Sequence, residues 1–185
     1  MKKRCEWAKI EPNTTYHDKE WGIPQHSDKK LFEFLILEGA QAGLSWSTIL
    51  NRRDGYRLAF SNFDAIKVSK HTQNHVQKLI QNKAIIQNKL KINSAINNAR
   101  QFIKIQKEFG SFDEYLWKFV NHKPIKNKFK KYSDLPSYTI ISKKLSQDLK
   151  KRGFNFVGPT ICYALMQAVG MVNDHTIDCF RYSEL

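Results

Sequence analysis

Lys150-Lys151-Arg152-Gly153-Phe154-Asn155-Phe156-Val157-Gly158-Pro159-Thr160-Ile161 is the stretch that decides how the rest of the chain is read. Upstream, residues 141–152 carry a helical pattern that stops at Gly153. Downstream, a second helix begins near Pro159 and runs to about Val169. Glycine at each end of Phe-Asn-Phe-Val permits backbone conformations that other residues resist, and proline in a first helical turn loses no hydrogen bond the helix needs. Residues 141–169 therefore read as two helices joined by a short hairpin. The free amides at the start of the second helix can hold a phosphate group.

The charge distribution favours that use. The chain has 185 residues and a formal net charge of +14. Residues 1–60 hold ten Lys/Arg against eight Asp/Glu, whereas residues 121–152 hold ten Lys/Arg against only Asp134 and Asp148. One-sided positive charge suits a polyanion, with a nucleic-acid backbone the first candidate. Lysine used simply for solubility is the competing account, and a glycine-stopped helix pair with no ligand explains the hairpin segment alone equally well. Taken together, hairpin and charge point to a helix-hairpin-helix DNA module, with Lys150, Lys151, Arg152, Gly153 and Gly158 as its phosphate contacts.

Outward from the hairpin the pattern is helical. Ser27-Asp28 opens a capped helix over about 28–39, Ser45 caps a second that breaks near Gly55, and further helices are expected over about 64–70, 72–82, 88–108 and 112–120. In the longest of these, Leu90, Ile92, Ala95, Ile96, Ala99, Phe102, Ile103 and Ile105 recur near a 3.6-residue period. Residues 121–140 have no clean period and read as a basic loop. No alternating strand pattern of useful length occurs, so the expected fold is all-α, in a single domain over 1–185. Apolar runs fall short of a membrane span, and the basic start lacks the apolar core of a secretory signal. Three widely spaced cysteines do not suggest a disulfide framework, which fits a reducing cytoplasm.

Two residue pairs at opposite ends carry metal-binding chemistry. Cys5 with His17 and His175 with Cys179 offer two thiols and two imidazoles, a donor set suited to one tetrahedral zinc. His175 and Cys179, four apart, would share a face on a helical turn, and a proline-containing stretch would loop Cys5 back to His17. Unrelated core thiols and solvent-facing histidines are the plainer account. In the 28–39 helix, Leu31, Phe34 and Leu35 share a face with Glu38, so its carboxylate is buried and must be paired or face a cavity. Trp46 follows shortly, and Trp7, Tyr16 and Trp21 flank the metal candidates. An acid among aromatic faces can read a flat, electron-poor base. Its rival is an ion pair with one of the many lysines and arginines.

Tyr16-His-Asp-Lys-Glu-Trp-Gly22, Leu37-Glu-Gly-Ala-Gln-Ala-Gly-Leu-Ser-Trp46, Phe119-Val-Asn-His122, Lys150 to Tyr163, and Gly170-Met-Val-Asn-Asp-His175 together make the chain resemble the DNA-3-methyladenine glycosylase I family, from Cys5 to Cys179. The resemblance implies a helix-hairpin-helix DNA glycosylase fold, with one structural Zn2+ held by Cys5, His17, His175 and Cys179 joining the termini. It implies hydrolysis of the N-glycosidic bond of 3-methyladenine in double-stranded DNA, releasing the free base and leaving an abasic site. Glu38 falls on the catalytic position, and Tyr16, Trp46, Trp7 and Trp21 on base-binding positions. Leu44 is a candidate wedge for the gap left by an extruded nucleotide. The expected enzyme is a monomer without lyase activity, since the hairpin carries no lysine over 153–161 to form a Schiff base. Pro12-Asn-Thr-Thr15 departs from the family, which can carry a further tyrosine there, so one cavity wall is expected to differ.

Overall fold

The computed structural model describes residues 2–185. It is built around one helix, α2 (Asp28–Gln41), in which every residue from Leu31 to Ala40 is buried. α2 packs against the short α3 (Trp46–Leu50), the long α7 (Lys89–Phe109), α8 (Phe112–Trp117) and α10 (Pro159–Ala168). A helix buried on all sides needs apolar residues all round rather than a stripe, and Leu31-Phe-Glu-Phe-Leu-Ile-Leu supplies them. Its two glutamates are the exceptions that need explaining.

The remaining elements wrap this axis. α1 (Asn13–Lys19) lies ahead of it, α4 (Arg53–Ala59), α5 (Ala65–Ser69) and α6 (Gln73–Gln81) cover one end, and α9 (Ile140–Lys151) pairs with α10. α11 (Phe180–Glu184) closes the described chain. α7 buries Ile92, Ala95, Ile96, Ala99, Phe102 and Ile105, as the period requires, while Leu90 stays exposed at the helix start. The all-α expectation holds apart from two residues in each of two strands. β1 (Ile125–Lys126) and β2 (Val172–Asn173) pair in parallel, Ile125 opposite Val172, and tie the basic 121–131 segment to the C-terminal one.

Three local expectations differ. Ser27 makes no side-chain cap; instead the Asp28 carboxylate reaches across to accept from Phe112 N and Asp113 N, both 2.9 Å, and from Gln106 Nε2, so it caps α8 rather than its own helix. The chain breaks at Asn51–Arg52, and Gly55 sits inside α4. Glycine is needed there because a Cβ would lie 2.2 Å from the carbonyl oxygen of Ala84, which crosses that face. His175 and Cys179 do not share a helix: a turn closed by Cys179 N to Thr176 O (2.8 Å) brings them together, and Cys179 precedes α11 as its N-cap.

The hairpin between α9 and α10 has the expected outline. Arg152 ends α9, Gly153 takes a positive φ of 87°, Gly158 is the N-cap of α10, and Pro159 occupies its first turn. Phe154 and Val157 are buried beneath it. Asn97 and Asn98 of α7 hold it from below: Asn98 exchanges two hydrogen bonds with the Asn155 backbone at 2.9 Å, and Asn97 Nδ2 donates to Gly153 O at 2.7 Å.

Candidate active site

Glu38 opens onto a cavity of about 640 Å³ that also reaches Trp7, Tyr16, Trp21 and Trp46. Five elements converge on it. The turn before α1 brings Trp7, α1 brings Asn13 and Tyr16, α2 brings Glu38 and Gln41, the turn into α3 brings Ser45 to Ser47, and α10 brings Thr160, Tyr163, Ala164 and Gln167 along one helical face. Residues 132–137 form the outer rim.

The rings stand at angles that leave space between them. Tyr16 and Trp46 have centroids 5.3 Å apart at 55°, and Trp7 meets Trp21 edge-on at 5.0 Å. Four buried polar atoms of this lining have no hydrogen-bond partner: Asn13 Oδ1, Tyr16 Oη, Glu38 Oε2 and Trp46 Nε1. Buried polar atoms are rarely left this way, and four around one cavity mark a place built for a polar guest. Among the described residues no cation lies within ion-pair distance of Glu38, so burial pushes its carboxyl up to about 8. The ion-pair rival is therefore excluded for Glu38. Burial, with the Glu38 charge second, also raises the Tyr16 phenol well above its ordinary value, so it remains a hydrogen-bond donor.

Behind the aromatics lies the cysteine–histidine cluster. Cys5, His17, His175 and Cys179 are buried, with ligand atoms all within 4.8 Å of one another. Cys5 Sγ is 3.6 Å from His175 Nδ1, and Cys179 Sγ is 3.4 Å from His17 Nε2 and 3.7 Å from His175 Nδ1. The other nitrogen of each ring is also engaged, His17 Nδ1 with Asp18 Oδ1 at 2.8 Å and His175 Nε2 with Trp21 O at 3.2 Å. Such outer partners fix the ring orientation that a metal ligand requires. The cluster can hold a metal ion, and it joins the two ends of the described chain. It also backs the cavity, because Trp21 packs edge-on to His175 at 4.5 Å and Trp7 to His17 at 5.4 Å.

The chain matches the methyladenine glycosylase family model over residues 7–182. It is 46% identical to DNA-3-methyladenine glycosylase 1 of Escherichia coli (strain K12) over 180 residues, covering 97% of this chain and 96% of that protein. The chain belongs to the methyladenine glycosylase family. Among solved structures, the glycosylase superposes with a TM-score of 0.94 on 3-methyladenine DNA glycosylase I at 44% identity, covering 96% of this chain and 98% of that one. A tyrosine-to-phenylalanine variant of 3-methyladenine DNA glycosylase I in complex with 3-methyladenine aligns at 0.93 and 34% identity, covering 96% of each chain.

In the glycosylase, all five residues expected around the base lie on the one cavity. Leu44 is 40% exposed in the turn between Gln41 and Ser45, both of which line it. That turn is held by Lys91, whose Nζ donates to Ala40 O and Ala42 O at 2.8 and 2.6 Å. Lys150, Lys151 and Gly153 are exposed on the hairpin, and Gly158 is half-buried. Arg152 is directed elsewhere. Its guanidinium pairs with Asp148 and Glu108, both at 2.7 Å, and stacks over Phe109 and Tyr115, so it clamps the hairpin to α7 and α8 instead of facing solvent.

Sequence reasoning passed over Asn13, Gln41, Tyr163, Gln167 and Asp174. Asn13 lies in the segment that departs from the family, while Gln41, Tyr163 and Asp174 fall inside the quoted motifs with no role assigned to them. Asp174, adjacent to His175 and 1% exposed, accepts from Tyr163 Oη, from Gln167 Nε2 at 2.8 Å and from Asn127 Nδ2 at 2.6 Å, which fixes two side chains of the cavity wall.

Proposed function

We propose that this protein is a DNA repair enzyme that releases 3-methyladenine from alkylated double-stranded DNA by hydrolysing its N-glycosidic bond, with Glu38 as the group that selects the cationic base. The observation that carries the reading is a buried, unpaired carboxyl facing an aromatic-lined cavity with room for a purine. In duplex DNA a base is out of reach of such a cavity, so the nucleotide must leave the stack, and a damaged base does so at less cost. Leu44, at the tip of a turn braced by Lys91, is placed to fill the gap.

Methylation at N3 makes adenine cationic while it is joined to the sugar. A cation beside Glu38 draws its carboxyl back to the ionised form, and the two opposite charges then share a dry site, where their attraction is stronger than in water. When the bond breaks, its electron pair neutralises the base. The sugar is left as an oxocarbenium ion, which water captures with loss of a proton. Since the base already leaves readily, the site needs selection and orientation more than a strong general acid. The lining holds no lysine among the described residues, which supports hydrolysis without a Schiff base and hence without lyase activity. Glu38→Gln keeps the shape and removes the charge. Excision of 3-methyladenine from methylated DNA, followed as free base by chromatography, should fall by on the order of a hundredfold, with affinity for undamaged DNA unchanged. Parallel loss of both would assign Glu38 to the fold alone.

We infer that the metal is zinc and that its role is structural. Zn–S near 2.3 Å and Zn–N near 2.0–2.1 Å give a tetrahedral S···N edge of about 3.6 Å, close to the 3.4, 3.6 and 3.7 Å between these thiols and imidazoles. Two thiols and two imidazoles fill four positions, leaving none for a reacting water. Cys179→Ser should abolish stoichiometric zinc and lower the melting temperature by on the order of 10 °C, the equivalent of roughly 3–5 kcal/mol. Loss of excision at full thermal stability would indicate a catalytic metal instead.

A further inference from the structure

We propose that a second basic groove, separate from the hairpin, takes the sugar–phosphate backbone of the damaged strand next to the extruded nucleotide; the proposal rests on the glycosylase reading above. The groove has a volume of about 540 Å³ and lies where the N-terminal residues meet the 130s. Six cations line it, Lys2, Lys3, Arg4, Lys9, Lys130 and Lys131, against the carboxylates of Glu6 and Asp178. Three of the six are engaged: Lys3 with Asp178 at 2.5 Å, Arg4 with Asp18 at 2.7 Å, and Lys2 over the ring of Phe180 at 4.5 Å. Among the described residues, no carboxylate lies within ion-pair distance of Lys9, Lys130 or Lys131, and all three are exposed.

Two features make this more than scattered surface charge. First, both sides of the groove are fixed by main-chain hydrogen bonds to the C-terminal segment. Asn127 N donates to Asn173 O and Ile177 N to Phe129 O, which carries Lys130 and Lys131 to the cysteine–histidine cluster, and Phe180 N donates to Lys3 O at 2.9 Å, which seats the opposite side. The fold thereby moves part of the lysine-rich 121–152 segment away from the hairpin and sets it beside lysines from the other end of the chain. Second, the groove adjoins the base cavity, since Tyr132 and Ser133 line both. A strand that places a base in the cavity has neighbouring phosphates within reach of this groove. Three ammonium groups on a braced support match a polyanion of regular spacing, and the cavity mouth determines which polyanion arrives.

The test uses the full chain carrying Lys9→Glu, Lys130→Glu and Lys131→Glu together, with Lys70→Glu, Lys78→Glu and Lys83→Glu as a control of equal charge change on α5, α6 and the turn after it. Affinity for a duplex containing a tetrahydrofuran abasic analogue is measured by fluorescence anisotropy over a range of salt. Loss of three phosphate contacts should reduce the slope of log K against log salt by about 2–3 and raise Kd on the order of tenfold or more. Melting temperature should stay at the wild-type value, and the control triple should change Kd by less than about threefold. Equal weakening in both triples would reduce the effect to bulk charge and overturn the proposal, as would an unchanged slope in the groove triple. If the wild-type protein frees no base from methylated DNA, the functional reading fails on its own, and anisotropy still decides whether the groove binds DNA.

Discussion

Glu33 and Glu38 belong to the same helix, are 3% and 4% exposed, and have opposite fates. Burial alone would raise the Glu33 carboxyl, but Arg53 at 2.8 Å and Lys30 at 2.9 Å outweigh it and hold it below its ordinary range. Arg53 also grips Glu20 with two bonds of 2.8 Å, so the network is complete without any ligand. Glu38, under the same burial, has no counter-charge among the described residues and is pushed up to about 8. One carboxylate is neutralised by the protein, while the other is left for something the protein does not contain. The difference separates a residue that serves the fold from one that serves a guest, and the surroundings decide it, not the residue type.

The strongest way to break the contrast is to make Glu33 resemble Glu38. Arg53→Met strips Glu33 of its main partner and leaves Glu20 unpaired, and removal of one member of a buried pair costs about 3–5 kcal/mol. The melting temperature should fall by on the order of 10 °C; a fall of only a degree or two would mean that Lys30 suffices. A smaller effect sharpens the other side. A carboxyl whose folded-state pKa is raised binds its proton more tightly in the folded protein, so its stabilisation is fully present below the ordinary 4.5 and is lost as pH rises toward about 8. Across that window Glu38 should cost the empty protein up to about 1.4 kcal/mol per pH unit. Denaturant titrations of wild type and Glu38→Gln at pH 5, 6 and 7 should diverge by that amount, with the glutamine variant gaining relative stability at higher pH. Parallel curves would show that Glu38 is already compensated.

Much of this was legible beforehand, for reasons that can be named. Helices with a clear apolar period, such as α7, appear where spacing places them, and the hairpin follows from two glycines and a proline whose preferences are local. Cys5, His17, His175 and Cys179 could be paired because few side chains bind metal well. What escaped was set by distant neighbours. Gly55 looks like a helix breaker and is instead a helical residue pressed against Ala84. Arg152 sits in a run of basic residues that suggests phosphate contact, yet Glu108, forty-four positions upstream, claims it. Asp174 stands inside the Gly170–His175 motif, yet its role shows only once α10 lays Tyr163 and Gln167 beside it. The basic 121–131 segment read as a loop, and a two-residue ladder decides where its lysines are used.

The link from Cys5 to His175 spans 170 positions of sequence, and that from His17 to Cys179 spans 162. No such contact can form on the ribosome until residues 175 to 179 have emerged. Trp7 and Trp21 lean on those same imidazoles, so this wall of the cavity is among the last parts of the described fold to be assembled. Closing that wall therefore waits for the last of the four side chains behind it, Cys179.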